Sequence, residues 1–174
     1  MFKLIVFGIV SGGLVFLSRA SLRDPRSHGF FRFSAFEAVL ALILLNLEYW
    51  FSNPLSVFQI LSWLLLLSSI FLAVHGFYML NAIGRPEGRI ENTTILVKRG
   101  AYKYIRHPLY GSLLLLAWGA FFKHPSFPGG VIALAASTFL VATAKVEEAE
   151  NLRRFGAGYA EYLQATKMFI PFIF

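Results

Sequence analysis

The chain has 174 residues, of which 57% are hydrophobic and 14% are charged, and its formal net charge is +7. Soluble domains carry about 25% charged residues, so a chain this apolar must place part of its surface in lipid. It has no cysteine, which excludes disulfides, thiolate metal sites and a cysteine nucleophile. The positive charge is not interpreted as nucleic-acid binding, because in a membrane protein the distribution of basic residues reports orientation.

Five apolar segments are predicted to be transmembrane helices. They are Phe2–Ser18, Ser34–Phe51, Val57–Leu80, Leu109–Phe122 and Phe127–Ala144. A span needs about 20 apolar residues, so the second, third and fifth are long enough, whereas the first and fourth are short. Residues 123–126 alone separate the last two, which predicts an antiparallel helical hairpin. The sequence thus predicts an all-α integral membrane protein of one domain, with about five transmembrane helices, three of them within residues 1–80.

The basic residues predict how these spans are oriented. All of them except Lys3 and Lys123 lie in the segments 19–33, 81–106 and 145–167. These segments alternate with segments poor in Lys and Arg, as five spans require, and loops rich in Lys and Arg stay in the cytoplasm. The N-terminus is therefore expected outside and the C-terminus in the cytoplasm. The polar stretch 81–103 and the C-terminal tail flank the hairpin on that side, where they are expected to form a cap.

The first polar cluster of interest immediately precedes the fourth span. Pro108 fits the first turn of a helix, which places Arg106 and His107 at the membrane surface just before it. Unpaired N–H groups and the dipole at a helix start favour an anionic group, and Arg106 adds donors suited to a carboxylate or phosphate. Without other signals, the headgroup anchor is the better interpretation of Arg106, and an ordinary residue at a helix start is the better interpretation of His107.

The second polar cluster ends the fifth span. Glu147 and Glu148 are adjacent, so on a helix they point about 100° apart and serve different faces. Either carboxylate could bind a cation or accept hydrogen bonds from hydroxyl groups, although a solvated helix end is the simpler interpretation. Glu150 and Arg154 have i, i+4 spacing and are expected to form a surface pair. The spacing of His and Glu residues is not typical of a zinc site, so no metal is predicted.

Five further residues have weaker interpretations. Tyr159 and Tyr162 share a face of a short final helix, either as part of an interfacial aromatic belt or as part of a site. His75 lies within the third span, where a hydrogen bond to another helix is expected. Glu37 and Glu48 lie near the two ends of the second span and are expected to reach the interface.

Taken together, the two clusters resemble those of the integral membrane methyltransferases of the isoprenylcysteine carboxyl methyltransferase family and of the related phospholipid N-methyltransferases. The resemblance covers about residues 81–171. It is carried by the string Tyr102-Lys103-Tyr104-Ile105-Arg106-His107-Pro108-Leu109-Tyr110, the hairpin, the pair Glu147-Glu148, Phe155-Gly156, Tyr159, Tyr162 and Ile170-Pro171. Two positions depart from the family pattern. Gly111 directly follows Tyr110 without an intervening residue, and Asn151 replaces a leucine that would be expected to line the cofactor pocket.

The resemblance implies a catalytic part in residues 81–174 that uses S-adenosylmethionine as methyl donor and releases S-adenosylhomocysteine. The implied cofactor-binding residues are Gly100, Tyr102, Arg106, His107, Tyr110, Glu147, Glu148 and Asn151. Arg106 suits the donor carboxylate, and Glu147 or Glu148 suits its ammonium or ribose. Gly100 would permit close backbone approach. Arg106 and Glu147 are the catalytic candidates, with Glu147 as base where the acceptor must lose a proton.

The acceptor is expected to be lipophilic and to enter from the bilayer between the third, fourth and fifth spans. An isoprenylcysteine carboxylate, a phospholipid amine, a small thiol and a hydroxyl group remain open. One alternative is a membrane reductase related to sterol reductases and using NADPH, although the chain has no glycine-rich dinucleotide fingerprint. Another is a non-enzymatic transporter or assembly protein, and a transporter would be expected to show inverted repeats.

Overall fold

The computed structural model describes residues 1–87 and 93–173 of the chain. In these residues the regular structure is helical throughout. The α-helices are α1 (Phe2–Ser18), α2 (His28–Leu45), α3 (Val57–Met79), α4 (Pro108–Phe122), α5 (Phe127–Phe155) and α6 (Ala157–Ala165). Three short 3₁₀ helices cover Ser21–Arg23, Leu47–Tyr49 and Gly100–Lys103, and a π-helical turn, Leu80–Gly84, extends α3.

Local caps explain where the helices begin and end. The side chains of Ser27, Ser56 and Ser126 accept hydrogen bonds from the first turns of α2, α3 and α5. Pro108 begins α4, as its sequence position predicts. Gly156, with a φ of 55°, ends α5 and begins α6. The helix boundaries are therefore set by serine, proline and glycine and not by the limits of the apolar runs.

The second predicted span was wrong at its end, because α2 ends at Leu45 and not at Phe51. Two further predicted boundaries were wrong because of these caps. The helix α2 begins at His28 and not at Ser34, because Ser27 caps it, and α5 continues to Phe155, well beyond the predicted end. Glu37 therefore lies in the middle of α2, and its predicted position near an end of the span was also wrong. Glu48 does lie beyond the helix end, where its Oε1 is 2.9 Å from Lys3 Nζ.

Three helical segments are long and apolar enough to cross a membrane: His28–Leu45, Val57–Gly84 and Phe127–Phe155. This finding confirms the prediction of a membrane protein. The two remaining predicted spans are shorter, since α1 has 17 residues and α4 has 15. At 1.5 Å per residue, α4 is about 22 Å long, less than the hydrocarbon core of about 30 Å.

The helices pack as two pairs joined by the predicted hairpin. The helix α3 packs along α4, α2 packs along α5, and α4 and α5 pack against each other across the turn 123–126. The helix contacts are made largely by small residues, which permit close approach in lipid. For example, a Cβ added at Gly119 would lie 2.9 Å from the side chain of Leu66. By contrast, α1 packs on α2 but buries none of its own residues.

Buried polar groups stabilise the end of the bundle that contains the hairpin turn. Asn46 donates to the Ala120 carbonyl at 2.8 Å. The buried Lys123 donates to Gln59 Oε1 at 3.0 Å, and its ammonium lies 3.5 Å from the centre of the Trp63 ring. A buried ammonium is costly unless it is hydrogen-bonded, so these contacts join α3 to the hairpin. This cluster lies at the opposite end of α4 from Arg106.

At the other end of the bundle, the chain after α6 returns to the start of α4. Arg106 N donates to the Lys167 carbonyl at 2.8 Å, and His107 N donates to the Met168 carbonyl at 3.2 Å. Lys167 N donates in turn to the Tyr104 carbonyl at 3.1 Å. The backbone on both sides of Arg106 is therefore held by the C-terminal segment.

Candidate active site

A cavity of about 460 Å³ lies at the end of the bundle that carries Arg106. Residues of α1, α2, α4, α5 and α6 line it, together with the end of α3 and parts of the segment 93–107. Nine polar residues from the C-terminal half of the chain contribute to the lining: Thr93, Tyr102, Arg106, His107, Tyr110, Glu147, Asn151, Tyr159 and Tyr162. Six of these belong to the predicted site, so the fold brings residues that are up to 49 positions apart to one cavity.

The guanidinium of Arg106 is held firmly in place. Its Nε donates to Glu148 Oε1 at 2.6 Å, and its Nη1 donates to the carbonyls of Leu163, at 3.3 Å, and Thr166. Both side chains of the ion pair are largely buried, with 11% and 15% of their surface exposed. Within residues 1–87 and 93–173, Nη2 has no hydrogen-bond partner. Arg106 therefore presents a positioned donor at the cavity wall.

The two adjacent carboxylates serve different partners, as their spacing on a helix predicts. Glu148 Oε1 binds Arg106 and lies 3.3 Å from His107 Nε2. Glu147 Oε2 accepts a hydrogen bond from the Tyr110 hydroxyl at 2.5 Å, and Glu147 lines the cavity. The His107 ring stacks against the Tyr110 ring, with 5.5 Å between the ring centres. Glu148 thus neutralises Arg106, whereas Glu147 contributes negative charge to the cavity.

Three buried tyrosines also line the cavity. Tyr102, Tyr159 and Tyr162 are each less than 8% exposed, so the interpretation of Tyr159 and Tyr162 as an interfacial belt was wrong. The Tyr162 hydroxyl donates to the Tyr102 carbonyl at 2.6 Å. Burial raises the pKa of all three phenols above the ordinary value, and the nearby Glu147 carboxylate raises that of Tyr102 further. They remain neutral hydrogen-bonding groups at physiological pH.

Asn151, which departs from the family pattern, has a defined place in this arrangement. It lines the cavity one helical turn after Glu147, and its polar side chain lies close enough to Tyr159 to offset part of the rise in the Tyr159 pKa that burial causes. A leucine at this position could pack in the cavity but could not offer a polar group to Tyr159. The substitution therefore makes the wall between α5 and α6 more polar.

Two of the predicted site residues do not line the cavity. Glu148 acts through Arg106 and His107, as described above. Gly100 has a φ of 59°, and a Cβ added there would lie 2.5 Å from His75 Nε2. The backbone N–H of the next residue, Ala101, donates to the same nitrogen at 3.2 Å. Gly100 thus permits the close approach of its backbone to His75 of α3. The hydrogen-bond partner of His75 lies in the 3₁₀ helix Gly100–Lys103 and not in another membrane span, as had been predicted.

The predicted pair of Glu150 and Arg154 is replaced by contacts to other segments. Glu150 Oε2 lies 2.7 Å from His28 Nδ1, and Arg154 Nη1 donates to the Thr93 carbonyl at 3.4 Å. The prediction was wrong because tertiary neighbours compete with a partner one turn away. The contact to His28 fixes the start of α2 beside α5.

Sequence reasoning missed the residues that α1 and α2 contribute. Leu14 and Leu17 of α1 and Arg32 and Phe36 of α2 all line the cavity. A signal was present only for Arg32, because a charged residue one turn inside a membrane span is costly and usually has a function. The apolar residues carried no such signal.

The residues present fit a zwitterionic, partly aromatic ligand such as S-adenosylmethionine. Arg106 Nη2 suits a carboxylate, Glu147 suits an ammonium or ribose hydroxyl groups, and neutral tyrosines and Asn151 suit a polar aromatic base. The cavity volume is within the range of about 300–1,000 Å³ that is usual for small-molecule sites. The chain can therefore hold such a ligand with its own described residues.

Comparisons with known proteins agree with this geometry. Residues 57–157 match the sequence model of the phospholipid methyltransferase family. A segment of 75 residues, 42% of this chain, is 32% identical to methanethiol S-methyltransferase 2 of Bradyrhizobium diazoefficiens and covers 27% of that protein. The chain thus matches about a quarter of the length of that relative, and no solved structure matches it. Because the family model covers more than half of the sequence, this integral membrane protein belongs to the phospholipid methyltransferase family.

Proposed function

We propose that the protein is an S-adenosylmethionine-dependent methyltransferase that acts on a lipophilic acceptor. The observation that carries this proposal is the charged cluster at one end of the cavity, where Arg106 is fixed by Glu148 and Glu147 faces the cavity beside Tyr110. Membership of a methyltransferase family and the name of the relative support the reaction type.

The cluster can bind the amino-acid end of the donor through complementary charges. Arg106 would bind the carboxylate through Nη2, since its other donors are occupied by Glu148 and two carbonyls. Glu147 would bind the ammonium or the ribose hydroxyls. When bound, S-adenosylmethionine supplies a methyl group activated by a sulfonium sulfur. The buried tyrosines would orient the donor without adding charge.

The main contribution of this chain to methyl transfer would be to position the acceptor and the donor relative to each other. The acceptor atom, the methyl carbon and the donor sulfur must lie in line, and holding them there contributes several kcal/mol, or about 7–11 at most. Glu147 can take up a proton if the acceptor is a thiol or an amine, because it lies in the cavity wall. A carboxylate acceptor would need no base.

The donor site would face the cytoplasm. The segments rich in Lys and Arg lie at the same end of the bundle as Arg106, and such segments stay in the cytoplasm. The polar donor would therefore reach the cavity from the aqueous side and the acceptor from the bilayer.

Calorimetric titration of S-adenosylhomocysteine into the detergent-purified protein tests the proposal. We expect binding in the micromolar range, and Arg106→Ala should weaken it by about 1.5–3 kcal/mol, the contribution of hydrogen bonds to a charged group. A loss below about 0.5 kcal/mol would assign Arg106 to membrane anchoring.

Failure of the folded protein to bind S-adenosylhomocysteine would contradict the proposal. NADPH serves as the second titrant, because binding of NADPH alone would favour the reductase alternative. Binding of neither ligand would favour a non-enzymatic role.

A further inference from the structure

The cavity lining combines charged and phenolic residues with apolar side chains from several segments of the chain. The charged and phenolic residues that suit the donor belong to residues 102–162. Apolar residues inside the family match also line the cavity, but Leu14, Leu17 and Phe36 belong to α1 and α2, outside residues 57–157, which match the family model. The same two helices contribute Ser18 and Arg32 to the lining. Helices outside the family match therefore supply part of the lining, in which Leu14, Leu17 and Phe36 form an apolar wall.

The cavity reaches the surface at this apolar wall. Leu17 lines the cavity and is nevertheless 76% exposed, so the cavity opens beside the end of α1. The surrounding surface of α1 is apolar, with Phe16 64% exposed and Val15 44% exposed. An opening with such a rim is suited to lipid-soluble molecules and not to polar ones.

Two polar contacts connect α1 to neighbouring residues, although the helix buries none of its own residues. Ser11 Oγ donates to Glu37 Oε1 at 2.9 Å, and Lys3 Nζ lies 2.9 Å from Glu48 Oε1. A carboxylate in the middle of a membrane helix is costly and usually has a function. Here Glu37 holds α1 on α2 and thereby holds Leu14 and Leu17 at the cavity.

From these observations we propose that Leu14, Leu17 and Phe36 determine acceptor specificity by binding an aliphatic chain of the acceptor. The inference rests on the proposed function and names the acceptor class: a thiol or amine carried on an unbranched alkyl chain. It places the acceptor beside α1 and α2, in contrast to the route between the third, fourth and fifth spans that the sequence suggested.

Methyl transfer from the donor to the acceptor would take place where the charged cluster meets the apolar wall. The acceptor sulfur or nitrogen forms a bond to the methyl carbon while the bond between that carbon and the donor sulfur breaks. The electron pair of the broken bond stays on the donor sulfur, and the acceptor proton goes to Glu147. Each methylene buried against the apolar wall should strengthen acceptor binding by about fourfold until the cavity is filled.

The test measures S-adenosylhomocysteine formation by the full chain in lipid nanodiscs with two series of acceptors, n-alkanethiols and n-alkylamines. In the methylated series, kcat/KM should be higher for the dodecyl than for the butyl member. Leu14→Ala and Phe36→Ala should each lower this dodecyl-to-butyl ratio about tenfold, because each removes apolar contact from the chain. Affinity for S-adenosylhomocysteine should be unchanged. Val10→Ala is the matched control, since Val10 lies one turn before Leu14 on α1, is also exposed, and does not line the cavity.

A variant with a larger side chain at position 14 tests the same proposal if the alanine variants fold poorly. Leu14→Phe narrows the cavity and should lower kcat/KM for the dodecyl member while leaving that for the butyl member within about twofold. A dodecyl-to-butyl ratio that stays at the wild-type value in all three folded variants would overturn the proposal. So would methylation of neither series by a protein that binds S-adenosylhomocysteine. Failure of the wild-type protein to bind S-adenosylhomocysteine would instead overturn the proposed function.

Discussion

At the scale of single residues, the site depends on how one carboxylate is paired. Glu148 neutralises Arg106 and lies within hydrogen-bond distance of His107. Breaking a largely buried ion pair by removing one partner leaves an uncompensated charge. Glu148 would therefore act as a positioning residue for the proposed donor site, whereas Glu147, in the cavity wall, could contact the ligands directly.

Glu148→Gln should weaken S-adenosylhomocysteine binding by about 1–3 kcal/mol, because the Arg106 guanidinium would lose its charged partner and its fixed position. The measurement is calorimetric titration, and Glu150→Gln is the matched control, since Glu150 contacts His28 outside the cavity. Equal losses in the two variants would show that the effect is one of net charge or folding. A further check is Glu148→Asp, which should restore part of the affinity.

At the scale of elements, the helix α1 buries none of its own residues, and yet it completes the apolar wall of the cavity. The helix α1 packs on α2 and on the 3₁₀ helix Ser21–Arg23. The hydrogen bond from Ser11 to Glu37 connects α1 to the middle of α2. Among the described residues, α4 and α5 are packed far more closely, by small residues such as Ala117 and Ala136. We therefore expect α1 to move more readily than the hairpin that carries the donor site.

Glu37→Leu should loosen α1, because the Ser11 hydroxyl would lose its acceptor. Hydrogen exchange followed by mass spectrometry should show faster exchange in residues 2–18 and unchanged exchange in α4 and α5. Glu37→Gln keeps an acceptor oxygen and should exchange like the wild type. Affinity for S-adenosylhomocysteine should stay within about 0.5 kcal/mol in both variants. Uniformly faster exchange in all helices would indicate general destabilisation and contradict a specific role for this contact.

At the scale of the whole molecule, the ends of the bundle have different charge. The hairpin end carries Lys123, which is buried against Trp63, whereas the Arg106 end carries most of the basic residues. Since basic segments stay in the cytoplasm, the donor site should be cytoplasmic.

The absence of cysteine from the sequence makes this orientation directly testable. Pro125→Cys, in the exposed hairpin turn, should react with a membrane-impermeant maleimide in intact cells. Glu161→Cys, on the exposed side of α6, should react only after the membrane is permeabilised. Labelling of Glu161→Cys alone in intact cells would invert the topology and contradict the proposed access of the donor from the cytoplasm.

Much of the site was predictable because its signals are local. Pro108 after Arg106 and His107 marks a helix start, and adjacent glutamates on a helix must face different partners. The structure agrees with both, in the start of α4 and in the separate contacts of Glu147 and Glu148. The pairing of Glu150 with His28 was not predictable, since it joins residues 122 positions apart.

The sequence by itself determined the membrane class, the helical hairpin and the residues that resemble a methyltransferase site, because hydropathy, caps and motif spacing are properties of neighbouring residues. Only the tertiary structure decided that α1 and α2 complete the cavity and that Gly100 packs on His75. The physical reason is the solvent. Lipid is as apolar as a protein interior, so the faces of α1 and α2 that line the cavity have the same composition as the faces that contact the bilayer.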